Sequence, residues 1–127
     1  MSTFLFNFKP EFAPLVESGV KVQTIRKTRK DGRRPVVGDM VKLYTGLGTR
    51  KARLLRSAAV VRCRAVQMGY ADYYIIVDGQ RLTPGEATAF AKADGFPGVS
   101  EMVEWFRGIH YNMDGIFEGF VTEWAKP

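Results

Sequence analysis

The alternation of apolar and polar residues predicts strands along most of the chain. Phe4, Phe6 and Phe8 fall on one side of the stretch 3–8, which indicates a first strand with a buried aromatic row. The other predicted strands are residues 22–26, 40–47, 58–68 and 115–124, and a hairpin is predicted at Asp78-Gly79. The chain is therefore rich in short strands that follow one another closely.

Within the stretch 58–68, Val61, Cys63 and Ala65 alternate with Arg62, Arg64 and Val66. This alternation predicts one long strand whose arginines face outwards. Cys63 is then expected to be a small buried apolar residue. The basic stretch 48–57 before it is predicted to be a loop.

Two short helices have clear sequence signals at their ends. Gly19 ends the first, because glycine tolerates the positive φ of a helix terminus. Thr83, Pro84 and Glu86 supply the N-cap, the first helical position and the acid of a capping box for the second. Gly95 is expected to end that second helix.

A third helix is predicted over residues 100–108. Met102, Trp105 and Phe106 lie at helical spacing and Ile109 continues the stripe, so these side chains are expected in the core rather than around a ligand. We find no repeat or linker. The pattern predicts one α+β domain over residues 1–127, with a mixed sheet of about six strands that curls toward a barrel and carries three short helices.

Charge divides the chain into two unequal parts. The net charge is +6, but residues 21–64 hold fourteen Lys and Arg against Asp31 and Asp39, whereas residues 67–127 hold four against nine acids. Such an asymmetry favours a polyanionic partner, because phosphate contacts dominate the affinity for nucleic acids. The alternative is that these cations only solubilise two basic loops.

Composition argues against several other classes of protein. A single cysteine, Cys63, excludes an internal disulfide, and one histidine, His110, gives no cluster for zinc or iron. The apolar runs are too short for a membrane helix, and the N-terminal residues lack the features of a signal peptide. The sequence predicts a cytoplasmic protein that uses no metal and no cofactor.

The stretch "GVKVQTIR" at 19–26 carries the candidate chemistry. On a strand, Thr24 and Arg26 share a face, and Lys21 lies at the entrance. Lys21 and Thr24 diverge on a regular strand, so they meet only if Lys21 lies in the turn after Gly19. The plainer alternative is that Lys21 and Arg26 are solvated and Thr24 is an ordinary strand residue.

These residues resemble the ASCH domain, a branch of the PUA-like superfamily. The resemblance rests on Gly19-x-Lys21-x-x-Thr24-x-Arg26, on the Gly38-Asp39 turn with the strand "KLYTG", and on "AKADGF" at 91–96. Most of the family has glutamate at the position of Thr24. The small bacterial ASCH proteins that hydrolyse N(4)-acetylcytidine have threonine there, as this chain does.

The resemblance implies a PUA-like β-barrel with a cleft beside the motif, where relatives bind RNA or hydrolyse a modified nucleoside. In the hydrolases the functional residues are the motif lysine, the motif threonine and a later glutamate, which match Lys21, Thr24 and Asp94 here. A threonine hydroxyl needs a base to become a nucleophile, and a lysine serves as that base only when neutral. The surrounding positive charge is expected to lower the pKa of Lys21. Asp94 could instead be only a helix-end residue beside Gly95.

Two functions therefore remain open. The first is binding of RNA or a nucleotide, with one base in the cleft, and the second is metal-independent amide hydrolysis on an acylated cytidine. The long basic surface favours binding. His110 and Tyr111 are expected in a loop, where an aromatic ring could stack on a base. The remaining residues expected to bind the ligand are Arg26, Lys27, Arg29, Lys30, Arg33, Arg34, Tyr44, Arg50, Lys51 and Arg53.

Overall fold

The computed structural model describes residues 1–108 and 115–127, which form seven strands and three helices. The elements in chain order are β1 (Thr3–Phe8), α1 (Ala13–Ser18), β2 (Gln23–Lys27), β3 (Met40–Thr45), β4 (Arg53–Gly69), β5 (Tyr74–Val77), β6 (Gln80–Arg81), α2 (Pro84–Ala93), α3 (Val99–Arg107) and β7 (Ile116–Trp124). The α+β class is confirmed, with one strand more than expected.

The strands form a mixed sheet in which β4 is the central element. β1 pairs with β3 in parallel, while β3, β5 and β7 all pair antiparallel with β4. β2 pairs with β7, and β5 with β6 through the predicted Asp78-Gly79 turn. Among the described residues β1 and β2 do not pair with each other, so the sheet is not a closed barrel. The gap between these two strands is where the candidate site lies.

β4 differs from its prediction in length and in the side chains it buries. Residues 53–57, expected in a loop, belong to the strand because their backbone groups pair with β3. Cys63 is only half-buried and Val61 is 45% exposed, whereas Val66, expected to face outwards, is buried. The register of β4 against β7 shifts between Val60 and Arg62, which is a β-bulge, so a simple alternation does not extend along the whole strand.

The helix ends follow their sequence signals. Gly19 has φ of 83° and ends α1, and Thr83 and Glu86 form both hydrogen bonds of the capping box at the start of α2. Gly95, with φ of 95°, follows Asp94, the C-cap residue of α2. None of the described helices is long and apolar enough to cross a membrane.

Two apolar clusters lie within the fold. One packs α2 and α3 against β5 and β7, with Met102 and Phe106 in its interior. The other lies under β1 and β3, where Trp124 packs edge-on against Phe8 with ring centroids 6.2 Å apart. Phe12 contacts both clusters, so the chain between β1 and α1 lies at their junction. The candidate site opens at this junction.

Candidate functional site

The segment between α1 and β2 places Lys21 in a turn rather than on a strand. After Gly19 the backbone N–H of Lys21 donates to the carbonyl of Leu15 at 3.0 Å, and β2 begins only at Gln23. This is the arrangement that allows Lys21 and Thr24 to line the same space. Lys21 is 3% exposed and Arg26 is only partly exposed, so neither is the solvated residue of the plainer alternative. Thr24 is 4% exposed.

Lys21 forms a buried ion pair with Asp94. The distance from Lys21 Nζ to Asp94 Oδ2 is 3.4 Å, and Nζ also donates to the backbone carbonyl of Asp94. Gln23 Nε2 donates to Asp94 Oδ1 at 3.3 Å. Asp94 is the C-cap of α2, so the helix end positions a carboxylate that reaches the lysine despite being one methylene shorter than glutamate.

Burial shifts the pKa values of both members of this pair away from their ordinary values. Removal from water lowers the pKa of Lys21, an effect that the carboxylate of Asp94 opposes and the nearby charge of Arg26 reinforces. Removal from water also raises the pKa of Asp94, against the opposing influence of Lys21 and Gln23. The predicted direction for Lys21 agrees with this, but burial is the larger cause and surrounding positive charge the smaller one.

Thr24 and Arg26 are hydrogen-bonded neighbours on one face of β2. Arg26 Nε donates to Thr24 Oγ1 at 3.1 Å, and Arg26 Nη2 donates to the carbonyl of Asn7 on β1 at 2.8 Å. Arg26 therefore joins β1 and β2, which do not pair with each other, across the gap in the sheet. Gly119 permits β7 to lie close behind, since a Cβ there would be 2.1 Å from the carbonyl oxygen of Arg26.

No hydrogen bond joins Lys21 to Thr24 within the described part of the chain. The amine of Lys21 is engaged by Asp94, and the Thr24 oxygen accepts from Arg26. A guanidinium that donates to an oxygen stabilises negative charge developing there. The arrangement can therefore support a Thr24 alkoxide or an oxyanion, and Lys21 can accept a proton only in its neutral form.

Lys21, Thr24, Arg26 and Asp94 line one cleft of about 400 Å³. Its other lining residues include Asn7, Lys9 and the aromatic residues Phe8, Phe12, Phe96, Trp105 and Phe106. The cleft thus joins buried hydrogen-bonding groups to aromatic surfaces, a composition suited to a flat ligand with polar edges.

Three of these aromatic rings form a contiguous group at the cleft. Phe12 lies edge-on to Phe96 and to Trp105, with centroids 5.6 and 5.3 Å apart, and Lys9 Nζ lies 4.5 Å from the centroid of Trp105. Trp105 was expected in the core, but it is only partly buried and also lines the cleft. The helical spacing of the apolar residues correctly predicted which side of α3 is buried. It did not indicate that Trp105, at the edge of that side, lines a cleft.

The residues predicted to bind the ligand divide into two groups. One group lines a second cavity of about 180 Å³, which we call the basic cavity, and consists of Arg26, Lys27, Arg29, Arg33 and Arg34. The second group lines neither the cleft nor the basic cavity and consists of Lys30, Tyr44, Arg50, Lys51 and Arg53.

The members of the second group differ in their surroundings. Arg53 begins β4 and pairs with Glu17 at 2.8 Å, and Tyr44 is half-buried on β3. Arg50 and Lys51 are exposed in the loop 46–52. This loop is held near the cleft because the Leu47 N–H donates to Asn7 Oδ1.

Some of the predicted site lies outside the described residues, namely His110 and Tyr111, together with Ile109 of the α3 stripe. In residues 1–108 and 115–127, no group of three or more His, Cys, Asp or Glu side chains is placed to hold a metal ion. Comparison of the chain with models of protein families, with curated proteins and with solved structures gives no match.

Proposed function

We propose that the chain is an ASCH-type, PUA-like domain of the cytoplasm that binds single-stranded RNA or a nucleotide and holds one unstacked base in the cleft. The observation that carries this proposal is that aromatic rings and buried hydrogen-bonding groups line the same space of about 400 Å³. An unstacked base offers apolar faces to aromatic rings and hydrogen-bonding edges to polar side chains, so its chemistry matches that lining.

The distribution of positive charge supports a phosphate-bearing ligand. The basic cavity shares Arg26 with the cleft, so its cations lie next to the space proposed for the base. Arg29 pairs with Asp31 at 2.8 Å, which leaves Lys30, Arg33 and Arg34 as the cations of the loop 28–39 that form no ion pair with a described residue. These three residues are expected to contribute most to the electrostatic part of binding.

The affinity for single-stranded RNA is expected to fall with salt, at a log–log slope of about −0.7 for each phosphate neutralised. Replacing Arg29, Lys30, Arg33 and Arg34 together by glutamine should flatten this slope by about two, since Arg29 is already paired with an acid. Fluorescence anisotropy of a labelled RNA across a salt series measures the slope. A matched loss of four charges outside both cavities, at Lys42, Arg62, Arg81 and Lys92, should change it much less. A slope near zero in the unsubstituted protein would make the loops mere solubilising charge.

Trp105→Ala is expected to weaken RNA binding without changing the salt slope. Stacking of a base on an aromatic side chain contributes about 1 to 3 kcal/mol, so the affinity should fall about 5-fold to 150-fold at every salt concentration. Trp105→Phe should recover part of the loss, which separates stacking from damage to the fold. Tyr73→Ala removes a partly exposed ring that lies outside the cleft and should have little effect. Equal losses for Trp105→Ala and Tyr73→Ala would argue against a base in the cleft.

Amide hydrolysis on an acylated cytidine is the second candidate, and one observation favours it. Lys21 is a buried amine with a lowered pKa that lines the cleft together with Thr24, whose oxygen accepts a hydrogen bond from Arg26. A base with a depressed pKa and a hydroxyl assisted by a cation are what an activated nucleophile requires. The pH dependence of the reaction tests this candidate.

A further inference from the structure

The cleft and the basic cavity are neighbouring spaces that share Arg26 in their lining. Arg26 lines both spaces, and its guanidinium carbon lies 5.1 Å from the centroid of Phe6 and 5.0 Å from that of Phe8. These rings and the hydrogen bond to Asn7 fix the guanidinium between the two spaces. A ligand group that leaves the cleft on this side therefore meets Arg26 first.

Arg26 retains hydrogen-bonding capacity for such a group. A guanidinium has five N–H donors, of which Nε bonds Thr24 and one N–H of Nη2 bonds Asn7. The other three have no hydrogen-bond acceptor among the described residues. Arginine recognises phosphate through pairs of parallel N–H donors, so a phosphate oxygen is a suitable acceptor for them.

The basic cavity has the electrostatics of an anion site. Five of its lining residues are cations, and none of its described lining residues is an acid. Arg33 lies over Phe4 at 5.3 Å and Arg34 over Phe120 at 4.7 Å, so aromatic rings rather than carboxylates orient both guanidinium groups. Neither guanidinium forms an ion pair with a described residue, so both can bind an anion, although Arg33 also interacts electrostatically with Asp31 and Asp39.

We infer that the ligand is a phosphate ester of the nucleoside held in the cleft, with its phosphate bound by Arg26, Arg33 and Arg34 in the basic cavity. This inference rests on the proposed function and makes it more specific, because it assigns the phosphate of the ligand to three arginines of the basic cavity beside the cleft. The phosphate can belong to a free nucleotide or to the backbone of an RNA strand, and the two sources share the same chemistry at the cavity.

The test compares four ribonucleosides with their 5′- and 3′-monophosphates and with dinucleoside monophosphates, by calorimetric titration of the intact chain. The best monophosphate should bind about tenfold or more tightly than its nucleoside, as expected for charge-assisted hydrogen bonds to phosphate. Tighter binding of the dinucleoside monophosphate than of either monophosphate identifies an RNA strand as the source. Equal or weaker binding of the dinucleoside identifies the free nucleotide.

The paired variant Arg33→Gln and Arg34→Gln should remove the gain from the phosphate and leave the affinity for the nucleoside unchanged. Lys42→Gln with Arg81→Gln loses the same charge outside both cavities and should keep the gain. The inference is overturned if the nucleoside binds and the phosphate adds nothing, if the gain survives in the Arg33 and Arg34 variant, or if the control pair loses it equally. If no nucleoside, nucleotide or single-stranded RNA binds to the protein, the proposed function is overturned instead.

Discussion

Replacing either member of the buried pair, as Lys21→Met or as Asp94→Asn, is expected to lower the free energy of unfolding by about 3 to 5 kcal/mol near neutral pH. Lys21 and Asp94 are almost fully buried, and their charged atoms lie 3.4 Å apart. Removing one partner leaves the other as an uncompensated charge in an apolar environment. The double variant should lose much less than the sum of the two single losses, and urea denaturation of all four proteins measures this coupling.

The two single variants are expected to respond to pH in opposite directions. In Lys21→Met the folded-state pKa of Asp94 lies further above its unfolded-state value, because burial is no longer opposed by the cation. The stability gained by protonating Asp94 is fully present below the unfolded-state pKa and is lost as pH rises through the folded-state pKa. The loss caused by Lys21→Met should therefore be smallest in acid.

The sign reverses for Asp94→Asn. Here Lys21 stays buried without its carboxylate, so its folded-state pKa lies further below the unfolded-state value. At pH values between the folded-state and unfolded-state pKa of Lys21, the unfolded chain binds more protons than the folded chain, so stability rises with pH. The stability loss caused by Asp94→Asn should therefore be smallest in alkaline solution. The exposed pair Arg62–Glu123 provides the control, since Arg62→Gln should cost about 0.2 to 1 kcal/mol. The buried ion pair of Lys21 and Asp94 would not stabilise the fold if both single variants lost less free energy of unfolding than Arg62→Gln and neither loss depended on pH.

The local features of the site could be predicted from the sequence because short-range rules govern them. Gly19 ends α1 with a positive φ, and Lys21 lies in the turn that follows. The sequence predicted this turn as the condition for Lys21 and Thr24 to line the same space. Strand alternation places Thr24 and Arg26 on one face, and their hydrogen bond confirms this. Strand alternation and the conformational preferences of turn residues are sufficient to predict these local contacts, since the contacts join residues only a few positions apart.

The approach of Asp94 to Lys21 depended on a resemblance rather than on a pattern. The two residues are 73 positions apart, and nothing in the period of either segment joins them. Gln23, which also binds Asp94, was missed because alternation assigns it to the face opposite Thr24 and says nothing of what lies there. Contacts between distant elements follow from how α2 packs against the start of β2, which is a property of the whole fold.

The aromatic surfaces of the cleft were hidden for a related reason. On α3, Trp105 fits the apolar stripe of a core residue, and packing places it at the edge of the core, where it lines the cleft. It was not predictable either that the facing edges of β1 and β2 do not pair with each other among the described residues, because a sequence specifies strands more clearly than it specifies which strands pair. The gap between those edges contains the site, so its aromatic lining emerged only with the fold.

If the protein is a hydrolase, it should convert N(4)-acetylcytidine and water to cytidine and acetate without added metal. Neutral Lys21 would take the proton from Thr24 or from a water, the oxygen would attack the acetyl carbon, and the amide C–N bond would break as N4 receives the proton. Attack by water releases acetate directly, whereas attack by Thr24 leaves an acetyl ester on its oxygen, which a water activated by Lys21 must then hydrolyse to acetate and free Thr24. The rate should rise with pH until Lys21 is fully neutral and then level off. Because burial lowers the pKa of Lys21, the plateau should begin at a lower pH than for an exposed lysine.

Variants of the three residues should separate their roles in this reaction, each assayed under conditions in which circular dichroism shows it folded. Lys21→Met and Thr24→Val should lower turnover by about 10²-fold to 10⁴-fold, while Thr24→Ser keeps the hydroxyl and should retain measurable activity. Asp94→Asn removes the carboxylate that stabilises the protonated amine, so the midpoint of the pH profile should shift to lower pH. The salt slope of RNA binding, which the cations of the loop 28–39 set, should be nearly unchanged in Lys21→Met. If the unsubstituted protein releases no acetate from N(4)-acetylcytidine or other acylated cytidines at any pH at which it is folded, hydrolysis is excluded and RNA or nucleotide binding remains the function that the cleft supports.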